Sequence, residues 1–276
     1  MPTKKTSEMK KLRLAVCVML SLMMAAPMTA QRQGQQGAVQ TEKKLSKKEQ
    51  KALEAQKAKE LAEAAAKAEE AAAKAEAARI KSDEAVDKKA AGWVADLKLN
   101  DPAKEARVSA AVATHLKAVR DWHNAHAAMV PAGAFDPITG KEYSALHRQM
   151  IGDSAIPKSY KEDMMKVLNA ELTEAQVEAI LDKYTVGKVE FTMNGYRSIV
   201  PNMTAEDEAF LYKNLKEARY RAIDFKNMNQ ISAIFEIYKT INEQYFTNSG
   251  RDWRTMYKAY TDKVKAEKAA AAAKQQ

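Results

Sequence analysis

Helix starts recur along this chain, with little between them that could build anything else. Ser46 follows Leu45, Asp101-Pro102 comes shortly after Leu99, Thr173 follows Leu172, and Thr204 follows Met203. Each supplies a side-chain oxygen for the free N–H groups of a first helical turn, or a proline pre-set for it. Thr173 and Gln176 have the spacing of a capping box. With 9 Gly and 7 Pro in 276 residues, and abundant Ala, Lys, Glu and Met, the composition favours helix throughout. The expected fold class is all-α, a compact helical bundle preceded by a signal peptide and a long Ala/Lys/Glu spacer helix.

Periodicity places the helices. Val108, Val112, His115, Val119, Trp122 and His126 share one stripe, predicting a helix over residues 102–129. Shorter helices are expected over residues 158–172 and 173–184. A helix from residue 205 buries Leu211, Leu215, Ala218 and Ile223. The next, residues 228–246, carries Ile231, Ile234, Phe235, Tyr238, Ile241, Asn242 and Tyr245 on one face, and a last one over residues 252–264 carries Trp253, Met256 and Tyr260. Strand alternation is weak everywhere, with a doubtful instance at residues 189–193.

The N-terminus reads as an export signal. Lys4, Lys5, Lys10, Lys11 and Arg13 precede an apolar run over residues 14–26, and small residues lead to Ala30, after which cleavage is expected. The run falls short of the roughly 20 residues that span a bilayer. Cys17 lies inside it and follows Val16, which excludes a lipoprotein reading, and no later segment offers a transmembrane anchor. Residues 1–30 are therefore the signal peptide, and the product is exported to the periplasm or beyond. Cys17 leaves with that signal, so the mature chain has no thiol nucleophile and no disulfide.

Residues 31–42 are Gln/Gly-rich and read as disordered. Residues 43–91 form the spacer, with Glu63–Lys67, Glu70–Lys74 and Glu84–Lys88 oriented as helix-stabilising pairs. Leu45, Leu53 and Leu61 stand eight apart and only alanine continues the row, so no coiled-coil seam forms. The spacer is a solvated stalk or a surface for an envelope protein partner. The globular domain is expected over residues 92–264, with a charged, flexible tail at 265–276.

Charge excludes one class of partner. The net +9 divides into +4 over residues 1–30, +3 over 31–91, −1 over 92–262 and +3 over 263–276. In this near-neutral domain a basic face to track phosphates is not evident, so nucleic acid is not an expected partner.

No P-loop, GxSxG or HExxH signature occurs, so no catalytic residue, metal ligand or cofactor is assigned. His115, His123 and His126 lie on the first core helix without metal-ligand spacing, and read as hydrogen-bonded rings of the packing. Polar groups on apolar stripes say more. Asn242 falls on a buried face, and an unpaired amide there would cost about 1–3 kcal/mol, so a neighbour or a ligand must pair it. Arg219, between Leu215 and Ile223, sits at the core edge, and Glu217 lies on the flank of the same helix. Tyr196, Tyr245 and Trp253 belong to an aromatic-rich C-terminal third. Rings beside Arg, Asn and Asp suit a pyranose, whose C–H faces stack while polar groups take the hydroxyls, but the same residues also build ordinary cores.

The strings LTEAQVEAILDKYTVGKV, GYRSIVPNMTAEDEAFLYKNLKEARYRAIDF and FEIYKTINEQYFTNSGRDW, with the opening GWVADLKLNDPAKEARV, resemble an exported Bacteroidota family, domain of unknown function 3826. The resemblance spans roughly residues 92–264. Tyr184, Gly187, Tyr196, Pro201, Glu217, Arg219, Asp224, Tyr238, Lys239, Asn242, Tyr245 and Trp253 match its recurring positions. It implies sugar binding, often beside polysaccharide-degrading systems, and no established activity. The expected function is non-catalytic binding of a polysaccharide or oligosaccharide, with Tyr196, Glu217, Arg219, Asp224, Lys239, Asn242, Tyr245 and Trp253 as ligand-binding residues. The alternatives are an envelope scaffold or chaperone-like protein, cued by LTEAQ and the spacer, and a carbohydrate-active enzyme using Glu217 or Asp224.

Overall fold

A computed structural model describes residues 46–127 and 129–273; the expected signal peptide and the segment 31–42 lie outside it. Among the described residues the ordered elements are nine α-helices: α1 Lys47–Ala95, α2 Pro102–Ala125, α3 Ala145–Ser154, α4 Lys158–Glu171, α5 Glu174–Thr185, α6 Lys188–Ile199, α7 Ala205–Ala222, α8 Met228–Asn248 and α9 Trp253–Ala273. The protein is all-α. Phe135 and Glu142 form an isolated antiparallel bridge in the loop before α3, and residues 189–193 are helical within α6.

The caps fall where the sequence puts them. Ser46 and Glu49 exchange backbone and side-chain hydrogen bonds at the head of α1. Asp101 accepts from the N–H groups of Ala103 and Lys104 ahead of Pro102. Thr173 with Gln176, and Thr204 with Asp207, close complete capping boxes. LTEAQ is thus a helix start. The short helix α3 has no counterpart in the periodicity, because ten residues with Gly152 and Asp153 on the inner side show no apolar stripe.

The helices divide over two units, residues up to 65 and residues from 66. In the first, α1 is exposed at every described position. In the second, α1 is solvated until Ser82 and then packs. Arg120 Nη1 donates to Ser82 Oγ (2.9 Å) and Nη2 to Asp83 Oδ1 (2.6 Å), while Ala90 and Val94 enter the core. Packing therefore begins before Gly92, carried by side chains that an Ala/Lys/Glu pattern hides.

Two apolar cores follow. The first joins the end of α1 to α2, α4 and α5 through Val108, Val112, Leu168, Ile180 and Ile223. The second joins α6, α7 and α8 through Met193, Leu211, Leu215, Phe235 and Phe246. Helix α7 feeds Leu211, Leu215, Ala218 and Ala222 into the second core, and its C-cap Ile223 into the first. Two expectations on α8 change. Ile241 is 40% exposed, and Phe246, one position beyond the predicted stripe, is fully buried. The reason is the neighbouring helix: Phe246 stacks against Trp253 at 6.2 Å and 16°, so α9 draws the buried face around. Helix α9 itself continues to Ala273, past the expected end of the domain.

The junction of α5 and α6 is unusual. Val186 and Gly187 both adopt left-handed backbone, at φ 54 and 66. Glycine does this freely, whereas a β-branched residue is strained there.

Candidate functional site

A cleft of about 430 Å³ opens where α4, α5 and α7 meet, within the range of small-ligand sites. Met165, Leu172, Val177 and Leu181 supply its apolar side. They are the outer members of the stripes that also fill the first core. Asn169, Glu174, Glu178, Lys216, Arg219 and Tyr220 supply its polar side.

Arg219 organises the polar wall. Position 219 shares the inner stripe of α7 with Leu215 and Ile223, so its side chain is only 3% exposed, and its charge must be met inside the protein. Nη2 pairs with Glu178 Oε1 and Nη1 with Asp182 Oδ1, each at 2.6 Å. Both carboxylates come from α5, one turn apart on the face turned to α7. Lys216 Nζ reaches Glu178 Oε2 at 2.9 Å. Burial pushes the Glu178 carboxyl up, but the hydrogen bonds from Arg219 and Lys216 outweigh it and hold the group below its ordinary value. One nitrogen has no partner: Arg219 Nε–H is buried without a protein acceptor.

Tyr220 stands beside Arg219 with a second layer behind it. Lys161 Nζ lies 4.4 Å from the ring centroid and donates to Asp224 Oδ2 at 2.5 Å and to the Tyr220 carbonyl at 3.2 Å. Asp224 Oδ1 lies 3.3 Å from His115 Nε2, and His115 Nδ1 lies 3.1 Å from the Tyr184 hydroxyl. A carboxylate only accepts, so Nε2 carries a proton toward Asp224, while the Tyr184 hydroxyl also lies 3.1 Å from Met164 Sδ, to which it donates. Burial would raise the Asp224 carboxyl, yet the bonds from His115 and Lys161 bring it below its ordinary value. The Tyr184 hydroxyl is pushed up by burial.

Of the residues singled out in the sequence, Arg219 lines this cleft and Asp224 supports its Tyr220 wall. Glu217 is on the solvent side of α7, accepting from Arg221 at 2.8 Å. The other five gather around the second core. Tyr196 donates to the Lys239 carbonyl at 3.3 Å and tilts against Trp253, ring centroids 5.5 Å apart. Asn242 is fully buried, and its oxygen accepts from Asn214 Nδ2 at 2.7 Å. The neighbour meets that acceptor, while Asn242 Nδ2 is buried without a protein acceptor. Tyr245 stacks on Phe210 at 4.1 Å and donates to Asp207 Oδ1 at 2.9 Å. Lys239 Nζ pairs with Glu236.

Asn169, Glu178 and Lys216 escape a reading of the sequence. Charged and amide residues at solvent-facing helical positions look like an ordinary solvated surface, and only the approach of three helices makes a wall of them. Another missed group is the network of α2, α3 and α8. His123 Nδ1 donates to Asp153 Oδ2 (2.6 Å), Gln230 Nε2 donates to the same oxygen (2.6 Å), and Gln149 Nε2 meets His123 Nε2 (2.9 Å). With His126 bonded to the Trp122 carbonyl, His115, His123 and His126 all have protein partners.

The family model described as "Protein of unknown function (DUF3826)" matches residues 83–266, starting one residue after Ser82, where α1 begins to pack. No curated protein matches the chain.

Proposed function

Starting from a chain that belongs to the DUF3826 family of proteins of unknown function, we propose that it is an exported, non-catalytic glycan-binding module of Bacteroidota, with the α4–α5–α7 cleft as its binding site. The observation that carries this reading is the make-up of the cleft. Met165, Leu172, Val177 and Leu181 line it together with Asn169, Glu174, Lys216, Tyr220 and the paired Arg219. Sugar rings present the matching pair of surfaces, apolar C–H faces and a rim of hydroxyls that both donate and accept. The wall is also held in advance. Arg219 is locked by two carboxylates, and Tyr220 is backed by Lys161 and Asp224, so ligand binding loses little side-chain freedom.

The test is calorimetry and affinity electrophoresis against pectic, hemicellulosic and glycosaminoglycan polymers, with release of reducing ends followed in parallel. Saturable binding without product release supports the reading. Silence across all three classes sinks it. Release of reducing ends that is lost in Glu217→Gln or Asp224→Asn would establish an enzyme instead.

A further inference from the structure

We infer that the ligand of the cleft is an uncharged glycan and that Glu178 is the residue that sets this selectivity; the inference rests on the glycan-binding reading above. Two cations line the cleft, Lys216 and Arg219, and in a sugar-binding protein such a pair would ordinarily serve a uronate or a sulfate. Here both already pair with carboxylates of the protein. Glu178 bridges them, with Oε1 on Arg219 Nη2 at 2.6 Å and Oε2 on Lys216 Nζ at 2.9 Å, and Asp182 takes Arg219 Nη1 at 2.6 Å. Both Glu178 oxygens are committed, and so are both terminal nitrogens of the guanidinium.

The charge around the site completes the argument. Lys216 and Arg219 are balanced by Glu174 and Glu178 in the lining, and Asp182 behind Arg219 adds a further carboxylate. An anionic ligand would enter a site with no net positive charge and would have to displace Glu178 from two partners. A neutral sugar meets no such opposition. Its hydroxyls can use Asn169, Glu174 and the remaining ammonium protons of Lys216, while the apolar strip takes a ring face. Glu178 is thus a specificity-determining residue that occupies the place of a ligand anion.

The experiment compares wild type, Glu178→Gln and Tyr220→Ala in calorimetric titrations with xyloglucan and arabinoxylan oligosaccharides as neutral probes. Oligogalacturonate and chondroitin sulfate oligosaccharides serve as acidic probes, and circular dichroism checks the fold of each variant. Wild type is expected to bind a neutral probe and to bind the acidic probes at least tenfold more weakly. Tyr220→Ala should lose about tenfold for the neutral probe. Glu178→Gln, with two cations no longer bridged, should gain tenfold or more for an acidic probe. Wild-type preference for oligogalacturonate or chondroitin sulfate would overturn this inference and leave the glycan-binding reading standing. Unchanged acidic-probe affinity in a folded Glu178→Gln would overturn the role of Glu178. No binding of any probe would remove the glycan reading and this inference with it.

Discussion

Arg219 and Asp207 are the two residues whose charges the fold has most fully committed. Replacing Arg219 by methionine strips the shared cation from Glu178 and Asp182. Breaking a buried pair costs about 3–5 kcal/mol, but these carboxylates keep about a third of their surface exposed, so the expected loss is nearer 2–3 kcal/mol by urea denaturation. Asp207 accepts two bonds from Arg251, both at 2.6 Å, one from Tyr245 and one from the Thr204 N–H. The Arg251 guanidinium above all holds its carboxyl far below the carboxylate range, against the effect of burial. A depressed native pKa stabilises the fold above the unfolded value of about 3.9 and is lost as pH falls through the native value. Unfolding free energy should therefore decline from about pH 4 downward, with Asp224 and Glu178 adding to the decline in the same sense. Arg251→Met should lower stability at pH 6 by roughly 2 kcal/mol, and the gap to wild type should narrow at pH 3. A gap that stays constant from pH 6 to pH 3 would refute the assignment to Asp207. Spacing along α7 was enough to place Arg219 at the core edge. Its partners were not legible, because Glu178 and Asp182 are two among 36 acidic residues and nothing local marks them.

At the scale of elements, capping chemistry made the helix starts readable, since a cap acts within four residues of sequence. The ends and faces depended on neighbours. Packing of α9 rotated the buried face of α8, and only the bonds to Arg120 and the burial of Ala90 reveal that residues 82–91 of α1 belong to the packed structure. A chain starting at residue 82 should accordingly keep the melting temperature of the longer protein. One starting at residue 92 exposes the partners of Val86 and Ala90 and abandons Arg120, and should lose several degrees. Equal melting temperatures for the two would refute the docking. Val186 offers the opposite sign. A left-handed residue costs an L-amino acid roughly 1–2 kcal/mol, and Val186 is exposed with φ 54. Val186→Gly should remove most of that strain at a smaller entropic cost, for a net gain of about 0.5–1 kcal/mol in a denaturant titration. A net loss would show that Val186 makes packing contacts its exposure does not suggest.

At the scale of the whole molecule, helix α7 supplies both cores and one wall of the cleft, and this double service ties stability to binding. Its Leu211, Leu215 and Ala218 face one core while Lys216, Arg219 and Tyr220 face the cleft, so a ligand that contacts the wall should raise the melting temperature by mass action. The all-α class was legible from composition and caps. The cleft was not, because it exists only where helices distant in sequence converge. The aromatic cluster that looked most like a sugar platform, around Tyr196, Tyr245 and Trp253, instead joins α6, α8 and α9, while the cleft draws on a single tyrosine. The measurement that bears most directly on the glycan-binding account is calorimetric titration of wild type, Tyr220→Ala and Asn169→Ala with xyloglucan and arabinoxylan oligosaccharides. The account predicts saturable one-site binding by wild type, weakened about tenfold in each variant with folding intact. Binding that both variants keep at full strength, or no heat from wild type with any glycan, would contradict it.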